Sequence, residues 1–157
     1  MGGSLGEEAA RVRVRRLTQD ESFLLAALHL QALRRSGVSA TDHVQRLGAA
    51  WHERADDYPA WVAECDDDHV GMAICRLPVL PHVGGGVPEL VALEPVGQRV
   101  GPEAVALALV RSVVTWGGRE GFRTVEVAPH LQLPGAVLDA ARADVLGVRR
   151  VSLPTRP

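Results

Sequence analysis

The stretch that decides the fold is Glu89–Pro129, ELVALEPVGQRVGPEAVALALVRSVVTWGGREGFRTVEVAP. It predicts a strand over Leu90–Leu93, a glycine-bearing turn over Glu94–Gly101 and a helix over Pro102–Arg119. Glycines end this helix, and Thr124–Ala128 then predicts another strand. A strand that passes through a turn into a helix start can bind an anion, because unpaired backbone N–H groups point outward there.

The chain before this stretch predicts one strand and two helices. Arg11–Leu17 alternates Arg with Val, which is typical of a strand with one exposed face. Thr18 and Glu21 have the spacing of a capping box and precede an apolar helix over Asp20–Arg35. A second amphipathic helix is predicted over Asp42–Arg54.

A β-hairpin is predicted next, from Ala60–Asp66 and His69–Leu77 with a turn centred on Asp67–Asp68. That turn pairs Trp61 with Ile74, Ala63 with Met72, and Cys65 with Val70. Asp-Asp is not the favoured two-residue turn, so a register one residue away remains open. In the predicted pairing Cys65 and Cys75 lie too far apart for a disulfide, and we expect buried free thiols.

The remaining segments complete a mixed α/β pattern of order β-α-α-β-β-β-α-β-α-β. Pro78–Pro88 is a loop that either covers a substrate cleft or simply connects two strands. Pro134–Leu146 predicts a last helix, and Val148–Leu153 predicts a final strand. Residues 1–9 have no apolar pattern and predict a flexible tail before a single domain over residues 10–157.

Composition narrows the class of protein. The chain has 157 residues, 46% hydrophobic and 23% charged, with a net charge of −2. That charge gives no basic excess to favour nucleic acid as a partner. No apolar run reaches membrane-spanning length and the N-terminus lacks a signal-peptide pattern, so we expect a cytoplasmic protein. All 17 basic residues are Arg, which excludes a lysine base or Schiff-base former.

The central stretch resembles the GNAT (acetyl-CoA-dependent N-acetyltransferase) superfamily. That family has a strand ending in hydrophobic-x-Pro, followed by [Gln/Arg]-x-x-Gly-x-[Gly/Ala] at a helix start. Leu93-Glu94-Pro95 matches the first part, and Gln98 and Gly101 match the second at the family's spacing. The opening VRRLTQDE is also similar to the family's first strand and helix cap, so the resemblance spans about residues 11–153.

The resemblance implies a mostly antiparallel sheet flanked by helices, and an acyl transfer from acetyl-CoA or another acyl-CoA to an amine. The acceptor would be a small molecule or a peptide. The family holds the pyrophosphate on the turn and the pantetheine on the edge of the fourth strand. Carried onto this chain, the residues that would bind the CoA are Val91, Leu93, Gln98, Arg99, Val100, Gly101, Pro102 and Glu103. Glu94 and His130 are the candidate general bases.

The chain departs from the family pattern at several positions. Pro102 lacks an N–H, and Glu103 replaces the family's Gly or Ala with a negative charge. The family's tyrosine acid has no counterpart, because the only tyrosine is Tyr58, before the predicted hairpin. The family's seventh strand is either missing or supplied by a partner subunit, and the second alternative implies a homodimer.

Three functions therefore stay open: an acyltransferase, a non-catalytic binding or assembly module with a decayed CoA site, and a fold recruited to other chemistry. No metal site is expected, because neighbouring residues in the run Asp66–His69 would point in divergent directions from a hairpin turn.

Overall fold

The computed structural model describes residues 4–80, 86–144 and 146. The elements in chain order are α1 Leu5–Ala10, β1 Arg13–Arg16, α2 Ser22–Arg35, α3 His43–Arg54, β2 Ala60–Cys65, β3 Asp68–Arg76, β4 Glu89–Pro95, α4 Pro102–Arg119, β5 Glu126–Val127 and α5 Gly135–Ala140. A short 3₁₀ turn, Gln19–Glu21, precedes α2. The predicted mixed fold is confirmed, because the sheet has the order β1-β2-β3-β4-β5 and only the β4–β5 pair is parallel.

Each face of the sheet carries its own hydrophobic core. Alternate residues of β2 point to opposite faces, so Trp61 packs towards α4 while Val62 packs towards α2 and α3. The α4 side also contains Leu107 and Leu109, both fully buried. The apolar pattern of α4 thus fixes the helix against the middle of the sheet, and its N-terminus then lies beside the end of β4.

The hairpin register differs from the predicted one by two residues next to the turn, where Cys65 pairs with Asp68 instead of Val70, and by one residue beyond a β-bulge between Ala63 and Glu64. Trp61 pairs with Ala73 instead of Ile74, so Ile74 and Met72 lie on the α2–α3 face and not with Trp61. The turn uses Asp66 and Asp67, at φ of 48° and 64°, one residue earlier than predicted. This moves the pairing by two residues, and the bulge then restores one of them. A tight hairpin turn of this kind needs positive φ at both central residues, and aspartate tolerates that conformation.

The N-terminal segment is not the predicted tail. Ser4 caps α1 through a reciprocal capping box with Glu7, and α1 packs on α4 through the buried Ala9. Covering the apolar flank of α4 offsets the entropy cost of ordering these residues. Residues 1–3 lie outside the described part of the chain.

Two elements after α4 are shorter than predicted. The strand predicted over Thr124–Ala128 pairs only at Glu126–Val127. The last helix ends at Ala140 because Arg142 has a φ of 54°, which a right-handed helix cannot continue. The predicted final strand, Val148–Leu153, lies outside the described residues, as does part of the Pro78–Pro88 loop. Cys65 and Cys75 are buried free thiols, as predicted.

An ion pair links β1 to the start of α2. Glu21 accepts hydrogen bonds from the Arg15 guanidinium at 3.1 Å and from the Thr18 N–H at 2.8 Å. The Arg15 hydrogen bond, followed by that of Thr18, lowers the pKa of Glu21 from 4.5 to about 2. A carboxyl with a lowered folded-state pKa stabilises the fold fully above its unfolded pKa, and this contribution is lost as pH falls through the folded pKa.

Glu21→Gln is therefore expected to lower the free energy of unfolding at pH 7 by about 1–2 kcal/mol, since solvent screens a partly exposed pair. The difference from wild type should shrink as pH falls below 4.5 towards about 2. Urea unfolding at pH 7, 5 and 3.5 measures it, with the exposed Glu53→Gln on α3 as the control. A difference in the free energy of unfolding that does not change with pH would contradict a lowered pKa of Glu21.

No helix in the described ranges combines the length and the apolar composition that a membrane span requires.

Candidate functional site

The turn between β4 and α4 is held by hydrogen bonds to one residue of β3. The carbonyl of Val70 accepts hydrogen bonds from the N–H groups of Val96 at 2.8 Å and Gly97 at 3.2 Å. A Cβ added at Gly97 would lie 2.6 Å from a methyl of Val70 and 3.1 Å from its Cα. Glycine is therefore required for this close approach, which sets where the rest of the turn begins.

The turn presents unpaired amides at the start of α4. Among the described residues, no protein acceptor bonds the N–H groups of Gln98, Arg99, Val100, Glu103 or Ala104. Pro102, the first helical residue, removes one donor from this set. Amides that face outward at the positive end of an 18-residue helix favour an anion.

One carboxylate already contacts these amides. Glu8 of α1 accepts the Gly101 N–H through Oε1 at 2.9 Å, joining residues 93 positions apart in the chain. Gly101 is the N-cap of α4 and has no side chain of its own to cap the helix. The Glu8 contact shows that the turn accommodates an anionic group despite Pro102, and Glu103 is exposed rather than buried against it.

The side chains of Gln98 and Arg99 border a cavity of about 570 Å³ between α2 and the end of the sheet. Its other lining residues include Gln31 and Arg35 of α2 and His69 of β3. Arg99 Nε lies 2.8 Å from Asp68 Oδ2, but both side chains are more than half exposed. An exposed pair of this kind contributes little to stability, so Arg99 is free to exchange Asp68 for another anion.

β4 and β5 part soon after they begin to pair. The last backbone bond between them runs from the Ala128 N–H to the Leu90 carbonyl at 2.9 Å. The next carbonyl along β4, that of Val91, accepts instead from His130 Nε2 at 2.8 Å. Because a carbonyl can only accept, His130 carries its proton on Nε2, and in the neutral ring Nδ1 keeps a free lone pair.

The edge of β4 beyond this point is unpaired among the described residues, although the strand continues to Pro95. Ile74 and Cys75 pair with Ala92 and Leu90, so Val91 is the extra residue of a β-bulge. Bulges redirect a strand locally, and this one lies where β4 and β5 diverge. The arrangement leaves backbone groups available to an extended ligand.

Glu94 lies on the α2–α3 side of the sheet, opposite its partner Met72 on β3. It is half-buried and, in the described part of the chain, makes no side-chain hydrogen bond or ion pair. Burial raises its pKa above 4.5, because a low-dielectric site disfavours the charged form. A carboxylate with a raised pKa is a stronger base, which is the property general-base catalysis requires.

The predicted site residues fall into two groups. Residues 98–103 run through the end of the turn into the first turn of α4, and Val100 is buried there, so that only its backbone is available to a ligand. Val91, Leu93 and Glu94 lie along β4, and the Leu93 side chain is buried towards α4. Glu94 and His130 do not meet, because His130 bonds to Val91, three residues or about 10 Å along the strand from Glu94.

Sequence reasoning missed Glu8. Its helix is signalled by Ser4-x-x-Glu7, a capping box before small and apolar residues. That pattern predicts a helix start, but not the contact with Gly101, which depends on how α1 packs against α4.

The chain has the fold of the GNAT acetyltransferases. It is similar to a probable acetyltransferase, with 15% identity, a TM-score of 0.71, and coverage of 92% of this chain and 99% of that one. It is also similar to a predicted acetyltransferase with acetyl-CoA from Clostridium acetobutylicum (11% identity, TM-score 0.69, 91% and 96% covered). Aminoglycoside N-acetyltransferase AAC(6')-Iy in complex with CoA has 17% identity and a TM-score of 0.65, with 92% and 94% covered. No protein-family model and no curated protein matches the sequence.

Proposed function

We propose that this protein is an acyltransferase that moves an acetyl or other acyl group from acyl-CoA to an amine. The observation that carries the proposal is the anion-binding turn at α4, beside the unpaired edge of β4. Two structures of the same fold contain CoA or acetyl-CoA. The pyrophosphate would lie on the amides of residues 98–101 and Glu103, and the pantetheine would pair with β4 near Val91 and Leu93.

Glu94 is the preferred general base. Bound acyl-CoA would supply the acyl group as a thioester, which an amine can attack directly. Glu94 then accepts the proton that the amine loses as its nitrogen bonds to the acyl carbon, and the leaving thiolate takes a proton from solvent. The raised pKa of Glu94 suits this role. Glu94 is the second-last residue of β4, so along the chain it would lie between the residues proposed for the pantetheine and those proposed for the pyrophosphate.

His130 is the alternative base. Donation from Nε2 to the Val91 carbonyl orients the ring and leaves Nδ1 to accept a proton. Its contact with β4 is also at the edge that pantetheine would use, so binding there would require the ring to move. That conflict is why Glu94 is preferred.

A second function is favoured by one observation, the carboxylate of Glu8 on Gly101. A turn permanently capped by the protein's own side chain would serve only the fold, and the chain would then act as a binding or assembly module. The only tyrosine, Tyr58, lies before β2. A non-catalytic module needs no general acid, so this hypothesis also accounts for the absence of the family's tyrosine.

Acyl-CoA binding separates the two functions. At about 100 times its dissociation constant, a ligand stabilises the native state by about 2.7 kcal/mol. For a domain of this size that corresponds to a rise in Tm of about 5–10 °C. Thermal melts with CoA, acetyl-CoA and longer acyl-CoAs measure the shift, with adenosine as the control that lacks both pyrophosphate and pantetheine. The absence of any shift would contradict the acyltransferase proposal and favour the module.

The acceptor is then identified by chemistry. A thiol-detecting assay of released CoA, run against aminoglycosides, polyamines and peptide N-termini, reports transfer to any amine. We expect release to depend on the unprotonated amine and therefore to rise with pH until the acceptor is deprotonated.

A further inference from the structure

The packing of α1 does not require the negative charge of Glu8. A carboxylate is not needed to pack α1, because Ala9 is 3% exposed and Leu5 packs against the same core. The capping box of α1 uses Ser4 and Glu7 rather than Glu8. Glu8 instead reaches out of its own helix to the Gly101 N–H of α4.

The Gly101 N–H has one hydrogen and can serve one acceptor at this distance. A phosphate oxygen that takes this hydrogen must displace the Glu8 carboxylate, which carries a negative charge of its own. The two anions cannot share the site, because like charges at hydrogen-bonding distance repel in a partly buried environment. Glu8 is partly buried, so water does not screen this repulsion completely.

We propose that Glu8 is a built-in competitor for the phosphate turn, which occupies the Gly101 amide in the absence of substrate and swings away when acyl-CoA binds. This inference rests on the proposed acyl-CoA site. α1 remains in place during the exchange, because moving it would expose Ala9. The Glu8 side chain rotates instead. The affinity for acyl-CoA is then set by the difference between the free energies with which the phosphate and the Glu8 carboxylate bind at the start of α4.

Removing the charge of Glu8 is the direct test. Glu8→Gln keeps the length of the side chain and the helix propensity but has no negative charge. We expect it to bind CoA about tenfold more tightly than wild type, since a charge-assisted hydrogen bond no longer opposes binding. Isothermal titration with CoA and with inorganic pyrophosphate measures the two affinities, and pantetheine, which lacks phosphate, should bind equally to both proteins.

Glu7→Gln is the matched control. It removes the same charge one residue away, from an exposed side chain that does not contact the turn. Glutamine also preserves a capping box, so α1 keeps its start. We expect wild-type affinity for CoA and for pyrophosphate in this variant.

The outcomes separate this inference from the proposed function. Tighter CoA and pyrophosphate binding by Glu8→Gln alone supports the competitor, and it does so even if no amine is ever acylated, which would overturn the acyltransferase. Equal CoA binding by all three proteins overturns the competitor and leaves the acyl-CoA site standing. An equal gain in both variants also overturns it, because the effect would then be general charge. No binding of CoA or pyrophosphate by any of the three overturns both.

Discussion

Glu94→Gln is expected to lower kcat/KM for acyl transfer by about 10²–10⁴-fold, the range that a positioned general base contributes. Glutamine keeps the shape of the side chain but cannot accept the proton that the amine loses. The affinity for CoA should stay at the wild-type value, because Glu94 precedes the turn and does not belong to it. Steady-state kinetics with separate CoA titrations measure both quantities.

The pH profile gives this prediction its second readout. Burial raises the pKa of Glu94, so wild-type activity should fall as pH drops through that raised value, where the base becomes protonated. The Glu94→Gln variant should lack the decrease that protonation of Glu94 causes and keep only the pH dependence of the acceptor amine. Glu89→Gln, on the same strand but paired with Arg76, should retain that decrease.

The stability of Glu94→Gln should not fall with its activity. A carboxyl with a raised folded-state pKa destabilises the native state when ionised, and this cost appears as pH rises through the folded pKa. Glu94→Gln should therefore be at least as stable as wild type at pH 8, and this advantage should vanish towards pH 4. A variant that loses activity together with stability would point to a structural role. If His130→Ala loses the activity while Glu94→Gln keeps it, the base is His130.

Gly97→Ala is expected to cost about 1–3 kcal/mol of folding free energy and to weaken CoA binding. The added methyl would lie 2.6 Å and 2.8 Å from two side-chain carbons of Val70 and 3.1 Å from its Cα. Rotating the Val70 side chain cannot relieve a contact with Cα or Cβ, so the backbone must shift. This shift would weaken the hydrogen bonds that the turn donates to the Val70 carbonyl, and it would displace residues 98–101.

Gly118→Ala is the control for this substitution. Gly118 lies near the end of α4, is exposed, and has no atom within 4 Å of an added Cβ. Alanine there should stabilise the helix by up to about 1 kcal/mol and leave CoA affinity unchanged. Urea unfolding and CoA titration of the two variants measure the contrast. Wild-type stability and CoA affinity in Gly97→Ala would show that the turn tolerates displacement.

The types of most elements follow from local pattern. The helix Pro102–Arg119 matches its predicted bounds, because proline at its start and the apolar spacing along it act within a few residues. α2 and α3 likewise lie where their patterns predict them. The fold class could therefore be inferred from residue order, and so could the turn as a candidate anion site.

Features that depend on distant residues could not be inferred in this way. The hairpin register follows from which aspartates adopt positive φ and from the bulge between Ala63 and Glu64, whereas the pattern of β2 and β3 allowed two registers. The role of α1 depends on an uncovered flank of α4, which exists only after α4 has packed on the sheet.

The sequence by itself determined that a strand, a turn and a helix start lie together, and that Pro102 removes one N–H donor and Glu103 adds a negative charge at that helix start, since these residues are neighbours in the chain. Only the tertiary structure decided that Glu94 is half-buried without a partner and that Glu8 reaches the Gly101 amide. The physical reason is the separation along the chain of the residues involved. Backbone donors at a helix start are a local property, whereas the burial of a side chain and the choice of acceptor depend on distant segments that folding brings together. Glu8 and Gly101, for example, are 93 positions apart.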